Sequence, residues 1–157
     1  LPLSRFSRFK VVGAYLASGS EFDPQPILRA ILRLDPEHVT PALPVAVDRD
    51  QPLTFRAWQA TDKLVPDAFG IPAPPASAPQ VTPSLVITPL LAFDRHGGRL
   101  GQGAGHYDRT LANLRRLRPV FVLGVGFAGQ EVDAVPMDRH DQRLDAIVTE
   151  TSYIEVG

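Results

Sequence analysis

Ser84-Leu-Val-Ile-Thr-Pro-Leu-Leu-Ala-Phe93 leads through Asp94-Arg-His-Gly-Gly98 into Arg99-Leu-Gly-Gln-Gly-Ala-Gly-His-Tyr-Asp-Arg109. The first run is apolar and β-favouring, and it reads as a fully buried strand with Pro89 at a bulge or at the strand's end. From Tyr107, apolar residues at 107, 111, 114 and 117 share one helical face, Arg109, Arg115, Arg116 and Arg118 lie largely elsewhere, and Pro119 stops the helix. Val120-Phe-Val-Leu-Gly-Val-Gly-Phe127 is a second buried strand. Residues 84–127 therefore predict a strand-helix-strand unit with a right-handed crossover, and with it an α/β fold.

Between strand and helix, Gly101, Gly103 and Gly105 alternate between an arginine and an Asp-Arg pair. Glycines so spaced let consecutive backbone N–H groups point into one concavity, and a helix opening near His106 adds its own N-terminal donors. Arg99 and Arg109 supply fixed positive charge at either end. Asp108, the one carboxylate there, would repel a polyphosphate unless a divalent cation stood between them, and Mg²⁺ is the natural candidate. Glycine-rich turns between a strand and a helix also commonly bind nothing. Neither GxxxxGK nor GxGxxG explains this loop, because His106 stands where the last glycine of the second pattern would be.

Upstream, Phe9–Leu16 predicts a first buried strand, and Ser18–Asp23 a polar loop. Asp23-Pro24 opens a helix whose apolar stripe is Ile27, Leu28, Ile31 and Leu32. Glu21 falls at the carboxyl end of that first strand, where ligands collect in open α/β sheets, although a loop carboxylate is commonly just solvated. His38–Val47, interrupted by Pro41 and Pro44, predicts a short or edge strand. Pro52–Trp58 alternates as a half-buried strand, with Trp58 on its polar side, placed either to stack on a flat heterocycle or to pack. Ile71–Pro83 predicts an extended proline-rich connector.

Downstream, Gly124-Val-Gly-Phe-Ala-Gly129 matches GxGxxG after a strand, but Pro136 arrives too soon for the long helix a dinucleotide site requires. Asp138, Asp141 and Asp145 follow, carboxylates that suit a metal or an ordinary Asp-rich turn, before a strand over Ala146–Thr149.

The 157 residues suit one domain able to bury about 70% of its unfolded surface. A net charge of −1 gives no general pull toward nucleic acid or membrane, so any anion site must be local. No cysteine is present, which excludes disulfides and thiolate metal centres. No apolar run approaches membrane-spanning length, and Leu1–Arg8 lacks the apolar core of a signal peptide, so a cytoplasmic location is expected. The sequence opens on leucine rather than methionine, and a segment preceding Leu1 is expected.

Leu91–Arg109 closely resembles the signature of the 5-formyltetrahydrofolate cyclo-ligase (5,10-methenyltetrahydrofolate synthetase) family. The resemblance extends through Tyr15–Glu21, Phe55–Trp58, Gly124–Gln130 and Pro136–Thr149. It implies a single three-layer αβα domain over residues 1–157 with a mixed, mainly parallel sheet, similar to sugar-phosphate isomerase and coenzyme A transferase folds. It also implies a reaction in which ATP phosphorylates the formyl oxygen of 5-formyltetrahydrofolate. The second folate nitrogen then closes the ring as phosphate leaves, giving 5,10-methenyltetrahydrofolate, ADP and phosphate.

By the same resemblance Arg99 and Tyr107 are catalytic, and ATP lies along Arg99, Leu100, Gly101, Gln102, Gly103, Ala104, Gly105, His106 and Tyr107. The reduced folate meets Leu16, Glu21 and Trp58 and shares the loop Gln102–His106, while Asp108 and Asp141 hold Mg²⁺. A monomer with no nucleic-acid or membrane partner is implied. Two positions depart from the family: His106 replaces its usual Phe or Tyr, and nothing before Phe9 matches its N-terminal helix with a phosphate-reaching lysine and arginine, since Arg5 and Arg8 adjoin the first strand. A folate- or nucleotide-binding paralogue without turnover, or a sugar-phosphate enzyme of the same fold, are the competing readings, and a requirement for ATP separates them.

Overall fold

The computed structural model describes residues 1–101 and 105–156. In chain order its elements are β1 (Val11–Gly13), α1 (Gln25–Leu32), β2 (Thr40–Val45), β3 (Thr54–Ala57), β4 (Val65–Pro66), β5 (Pro72–Ala73), β6 (Gln80–Val81) and β7 (Leu85–Thr88). There follow β8 (Ala92–Phe93), β9 (Arg99–Leu100), α2 (His106–Leu117), β10 (Phe121–Val125), β11 (Ala146–Val148) and β12 (Tyr153–Glu155). Eight strands form one sheet in the order β12-β11-β10-β7-β1-β2-β3-β6. Its five central strands are parallel, while β12 and β3 run antiparallel to their neighbours.

Alternation along the strands sorts the core into two layers, as period-two side chains must. Val12, Leu85, Ile87, Leu123, Val125, Ala146 and Val148 pack with Leu28 and Ile31 of α1 and with Phe6 of the 3₁₀ turn Leu3–Phe6. Val86, Val122 and Ile147 pack instead with Leu111 and Leu114 of α2 and with Phe93. Helices on both faces of a mainly parallel sheet give the three-layer α/β domain that the sequence predicts. The strand-helix-strand reading of residues 84–127 also holds: β7 and β10 are parallel neighbours, with α2 between them in sequence.

Four details differ from the sequence reading. Strand β2 lies inside the sheet, between β1 and β3, rather than at an edge. Its prolines fit because Pro41 meets β3 by accepting the Trp58 N–H at 2.9 Å, and Pro44 lies beyond Ala42, the last residue registered with β1. The run Ser84–Phe93 is not one strand: β7 ends at Thr88, and the chain reverses through a separate β8–β9 hairpin. The proline-rich connector contributes β5 to a small ribbon with β4, and β6 to the sheet edge. Leu117 is 69% exposed, because α2 ends there, and of the stripe Tyr107, Leu111 and Leu114 reach the core.

The β8–β9 turn is built around Asp94, a buried carboxylate. It accepts the N–H groups of His96 and Gly98, each at 2.9 Å, and of Val135 at 2.8 Å. Burial pushes this carboxyl up, but the three donors outweigh it and hold the group below its ordinary value. Gly97 has φ +89°, and a Cβ there would stand 2.6 Å from the Leu144 carbonyl oxygen, so only glycine fits this turn.

Two outcomes follow. A carboxylate with a depressed folded-state pKa contributes stability that is complete above its unfolded value, about 3.9, and is lost as pH falls through the folded value. Asp94→Asn should therefore flatten the acid limb of a stability-versus-pH curve measured by denaturant titration. Ile31→Ala, a truncation on the α1 face at a fully buried site, should cost about 2–5 kcal/mol in the same titration at neutral pH.

Candidate active site

From β1 the sheet grows through β2 to β3, and from β7 it grows the opposite way through β10 and β11 to β12. The strand order therefore reverses between β1 and β7, and the crevice outside their carboxyl ends is where an open α/β sheet receives a ligand. Ala14 and Tyr15 leave β1 there, and Pro89 and Leu90 leave β7.

Arg99, carried in by β9, is fixed at this point. Its Nε donates to the Pro89 carbonyl at 2.8 Å, and its guanidinium carbon stands 5.1 Å from the centre of the Tyr107 ring. A Cβ on Gly101 would come within 2.8 Å of Arg99 Nη1, so the glycine leaves room for the guanidinium against the backbone. Burial lowers the arginine's pKa, opposed by Tyr107, Asp108 and Tyr15, and the group keeps its charge because a guanidinium starts so high. Arg99 forms no ion pair among the described residues. A charge so held is available to an incoming anion.

Tyr107 and Tyr15 flank it. Burial pushes both phenols far above their ordinary range, with Glu21 adding to the shift of each, so both remain neutral. The Tyr15 hydroxyl donates to the Phe22 carbonyl, fixing the loop after β1, and Glu21 Oε1 accepts the Ser18 N–H at 2.9 Å within that loop. Leu16 is half-buried against the α1-side core, and Trp58 is buried in it at 9% exposure. The Trp58 indole N–H has no hydrogen-bond partner among the described residues. Buried indole donors usually find one, so this N–H is an unsatisfied donor inside the α1-side core.

On the other side of Arg99 lies a pair of carboxylates. Asp108, in the first turn of α2, accepts the Gln142 N–H at 2.9 Å, and Asp141 accepts the Asp138 N–H at 3.0 Å. Burial raises the Asp108 carboxyl above its ordinary value, Asp141 raises it further, and the Gln142 N–H and Arg99 oppose them. Two hard oxygen donors brought into repulsion match a small divalent cation that takes one or two carboxylates and fills its remaining positions with phosphate oxygens and water. The other aspartates of that turn are occupied: Asp138 Oδ1 accepts the His140 N–H at 2.7 Å, and Asp145 joins Arg115 at 3.0 Å and the Val122 N–H at 2.8 Å.

Gly105, at φ +74°, is the N-cap of α2. His106 turns toward the chain before β3, with Nε2 3.2 Å from the Asp48 carbonyl and its ring 5.6 Å from that of Phe69. Arg109 reaches the Arg49 carbonyl at 3.3 Å and the Asp50 carboxylate at 3.9 Å. Leu100 is exposed. Gln102, Gly103 and Ala104, expected in both the nucleotide and the folate contacts, lie outside the described residues. Arg5 is paired with Glu155, and the Arg8 guanidinium lies 4.5 Å from the centre of the Phe9 ring, so both are engaged away from Arg99.

The structure thus places Arg99, Tyr107, Asp108, Asp141 and Glu21 around one crevice. Tyr15 joins them without having been singled out in the sequence, where it reads as one more apolar member of the first strand. Its signal was position, at the carboxyl end of that strand. The GxGxxG match at 124–129 opens only a single 3₁₀ turn, Ala128–Gln130, consistent with its rejection as a dinucleotide site.

Asp108→Asn should separate metal chemistry from folding. Removing one of two repelling charges should leave the melting temperature of the metal-free protein unchanged or raised, while calorimetric titration shows Mg-ATP binding weakened by about 10-fold or more. An unaltered affinity would remove Asp108 from the metal pair.

The comparisons with known proteins identify one family. Residues 1–150 match the family model described as the 5-formyltetrahydrofolate cyclo-ligase family. The 5-formyltetrahydrofolate cyclo-ligase of Escherichia coli strain K12 is 32% identical over 151 residues, covering 92% of this chain and 80% of that one. The protein of the same name from Mycolicibacterium smegmatis is 32% identical over 145 residues, covering 89% and 73%. The NMR structure of Aquifex aeolicus 5,10-methenyltetrahydrofolate synthetase superposes with a TM-score of 0.76 at 26% identity, covering 99% of this chain and 76% of that one. A Mycoplasma pneumoniae synthetase, at 21% identity and a TM-score of 0.66, shares the fold.

Proposed function

The chain belongs to the 5-formyltetrahydrofolate cyclo-ligase family, and from that membership we propose that it converts 5-formyltetrahydrofolate to 5,10-methenyltetrahydrofolate at the expense of ATP. The observation that carries this reading is the Arg99 guanidinium, held at the sheet's switch point without an ion pair among the described residues and flanked by the Asp108–Asp141 pair. Activating a formyl oxygen as its phosphate ester asks a protein chiefly to align two substrates and to neutralise charge on the transferred group.

Arg99 does the second of these at an oxygen of the phosphoryl group, aided by backbone N–H groups at the start of α2. Tyr107, neutral and stacked on Arg99, keeps the guanidinium facing the crevice and offers its hydroxyl as a donor. Asp108 and Asp141 would hold Mg²⁺, which when bound offsets the charge of the ATP phosphates. Glu21 and Trp58 orient the folate from the β1 side: a carboxylate accepts two hydrogen bonds from the amino and ring N–H groups of the pterin, and the indole N–H donates to one acceptor. Ring closure needs the second folate nitrogen within reach of the activated carbon. Phosphate departs with the former formyl oxygen, so no covalent nucleophile from the protein is required.

The direct test is the absorbance of methenyl-folate on adding 5-formyltetrahydrofolate, ATP and Mg²⁺. Product without ATP would point to a different reaction, and folate binding without product to a paralogue that does not turn over.

Glu21→Gln distinguishes the two ends of the crevice. An amide offers one acceptor and one misplaced donor where the pterin presents donors, which costs about 1–3 kcal/mol of folate binding. Mg-ATP affinity should be unchanged. Loss of ATP affinity with folate affinity intact would invert the assignment.

A further inference from the structure

The groups assigned to the phosphate end of the crevice come from three separate segments, the last of them more than thirty residues beyond the second. Arg99 stands at the end of the β8–β9 hairpin, Asp108 on α2, and Asp141 in the chain before β11. Asp94 is where the first of these segments meets the last. One of its oxygens closes the hairpin turn through the His96 and Gly98 N–H groups, and the other takes the Val135 N–H from the segment that leads to Asp141.

Contacts radiate from that carboxylate in both directions. Toward the hairpin, Asp94 N–H donates to the Gly98 carbonyl at 3.1 Å, Phe93 is registered opposite Arg99, and the Leu91 N–H donates to Leu100 at 2.7 Å. Toward the metal pair, the Val132 N–H donates to Phe93 and the Leu144 N–H to Gly97, each at 2.8 Å, while Arg143 reaches the His96 carbonyl at 3.0 Å. Gln142, next in sequence to Asp141, binds Asp108 at 2.9 Å. The turn can form only as the chain has it: a Cβ on Gly98 would come within 2.4 Å of Asp94 Oδ2.

We propose that Asp94 is a positioning residue that sets the separation between Arg99 and the Asp108–Asp141 carboxylate pair, by tying the Arg99 hairpin to the segment bearing Asp141. The hydrogen bonds its carboxylate accepts all come from backbone N–H groups. Its effect falls first on the phosphate end, because the folate-side groups Tyr15, Glu21 and Trp58 belong to other segments. The proposal rests on the ATP-dependent reading for its kinetic form, and on geometry alone for its binding form.

Asp94→Asn is nearly isosteric, but its amide turns a donor toward at least one of the three backbone N–H groups. The experiment measures kcat, the two KM values and the Mg-ATP Kd for wild type, Asp94→Asn and Ile31→Ala, with melting temperatures for each. Displaced supporting contacts of this kind cost about 10–100-fold. For Asp94→Asn we expect a fall in kcat and a weakening of Mg-ATP binding of about that size, with KM for 5-formyltetrahydrofolate within about twofold of wild type. Ile31→Ala, although less stable, should keep both ratios near those of wild type. Asp94→Glu, with both acceptors and the charge one methylene further out, should show the same split at smaller size, and it takes the place of the asparagine variant if that one does not fold.

Unchanged Mg-ATP affinity in the Asp94 variant, or equal losses for ATP and folate, would overturn the proposal. So would an Ile31→Ala profile that matches that of Asp94→Asn. A wild type that forms no methenyl product, but whose Mg-ATP affinity still drops on Asp94→Asn, would refute the cyclo-ligase reading and leave the positioning role standing.

Discussion

A guanidinium drawn partly out of water must find acceptors and polarisable surface, or the fold pays the desolvation. Arg99 finds a single backbone carbonyl at Pro89 and the face of Tyr107, and no ion pair among the described residues. That arrangement depends on every layer beneath it. Pro89 is where it is because β7 ends at Thr88, Tyr107 because α2 opens on His106, and Arg99 because a two-residue strand pairs back on Ala92–Phe93. The remaining demand of the cation is for an anion from outside. A buried charge left incomplete in this way is unfavourable in the free protein and selective in the bound one.

The crevice divides chemically along the line between β1 and β7. Elements reached from β1 supply neutral or acidic hydrogen-bonding groups, Tyr15 and Glu21, with the indole of Trp58 behind them. Elements reached from β7 supply Arg99, the N-terminus of α2 and the two aspartates. One side offers hydrogen-bond acceptors and a phenol, the other a fixed positive charge beside two carboxylates. The sheet between them keeps the two sides at a fixed separation, since the strands beneath are buried on both faces.

Much of this was legible in the sequence because it was written locally. The apolar run 84–88, the glycine loop, the stripe at 107, 111 and 114 and the run 120–127 each carry their own period, and Pro119 marks the break between the last two. What was not legible was written across distance. Pro41 and Pro44 argue for an edge if each is judged by its missing N–H, and only the register with Gly13 and Trp58 shows that one gap is tolerated and the other falls past the pairing with β1. Asp94 looks like an ordinary turn residue until Val135 is placed against it. Tyr15 is indistinguishable from its apolar neighbours until the reversal of strand order beside it is known.

The pairing of β1 with β7 has a consequence for how the chain comes to be folded. Val12 is registered with Leu85, so the central seam of the sheet joins residues from opposite ends of a long stretch of polypeptide. Closing such a loop costs entropy before any contact rewards it, which makes non-local parallel pairing slow. During synthesis β1, β2 and β3 emerge first and can associate, but the free edge of β1 must wait for the ribosome to deliver β7. Until then a strand carrying the fully buried Val12 presents unpaired backbone to solvent, the condition under which nascent chains aggregate or recruit a chaperone. The crevice straddles that same seam, so it cannot exist before β1 and β7 have paired.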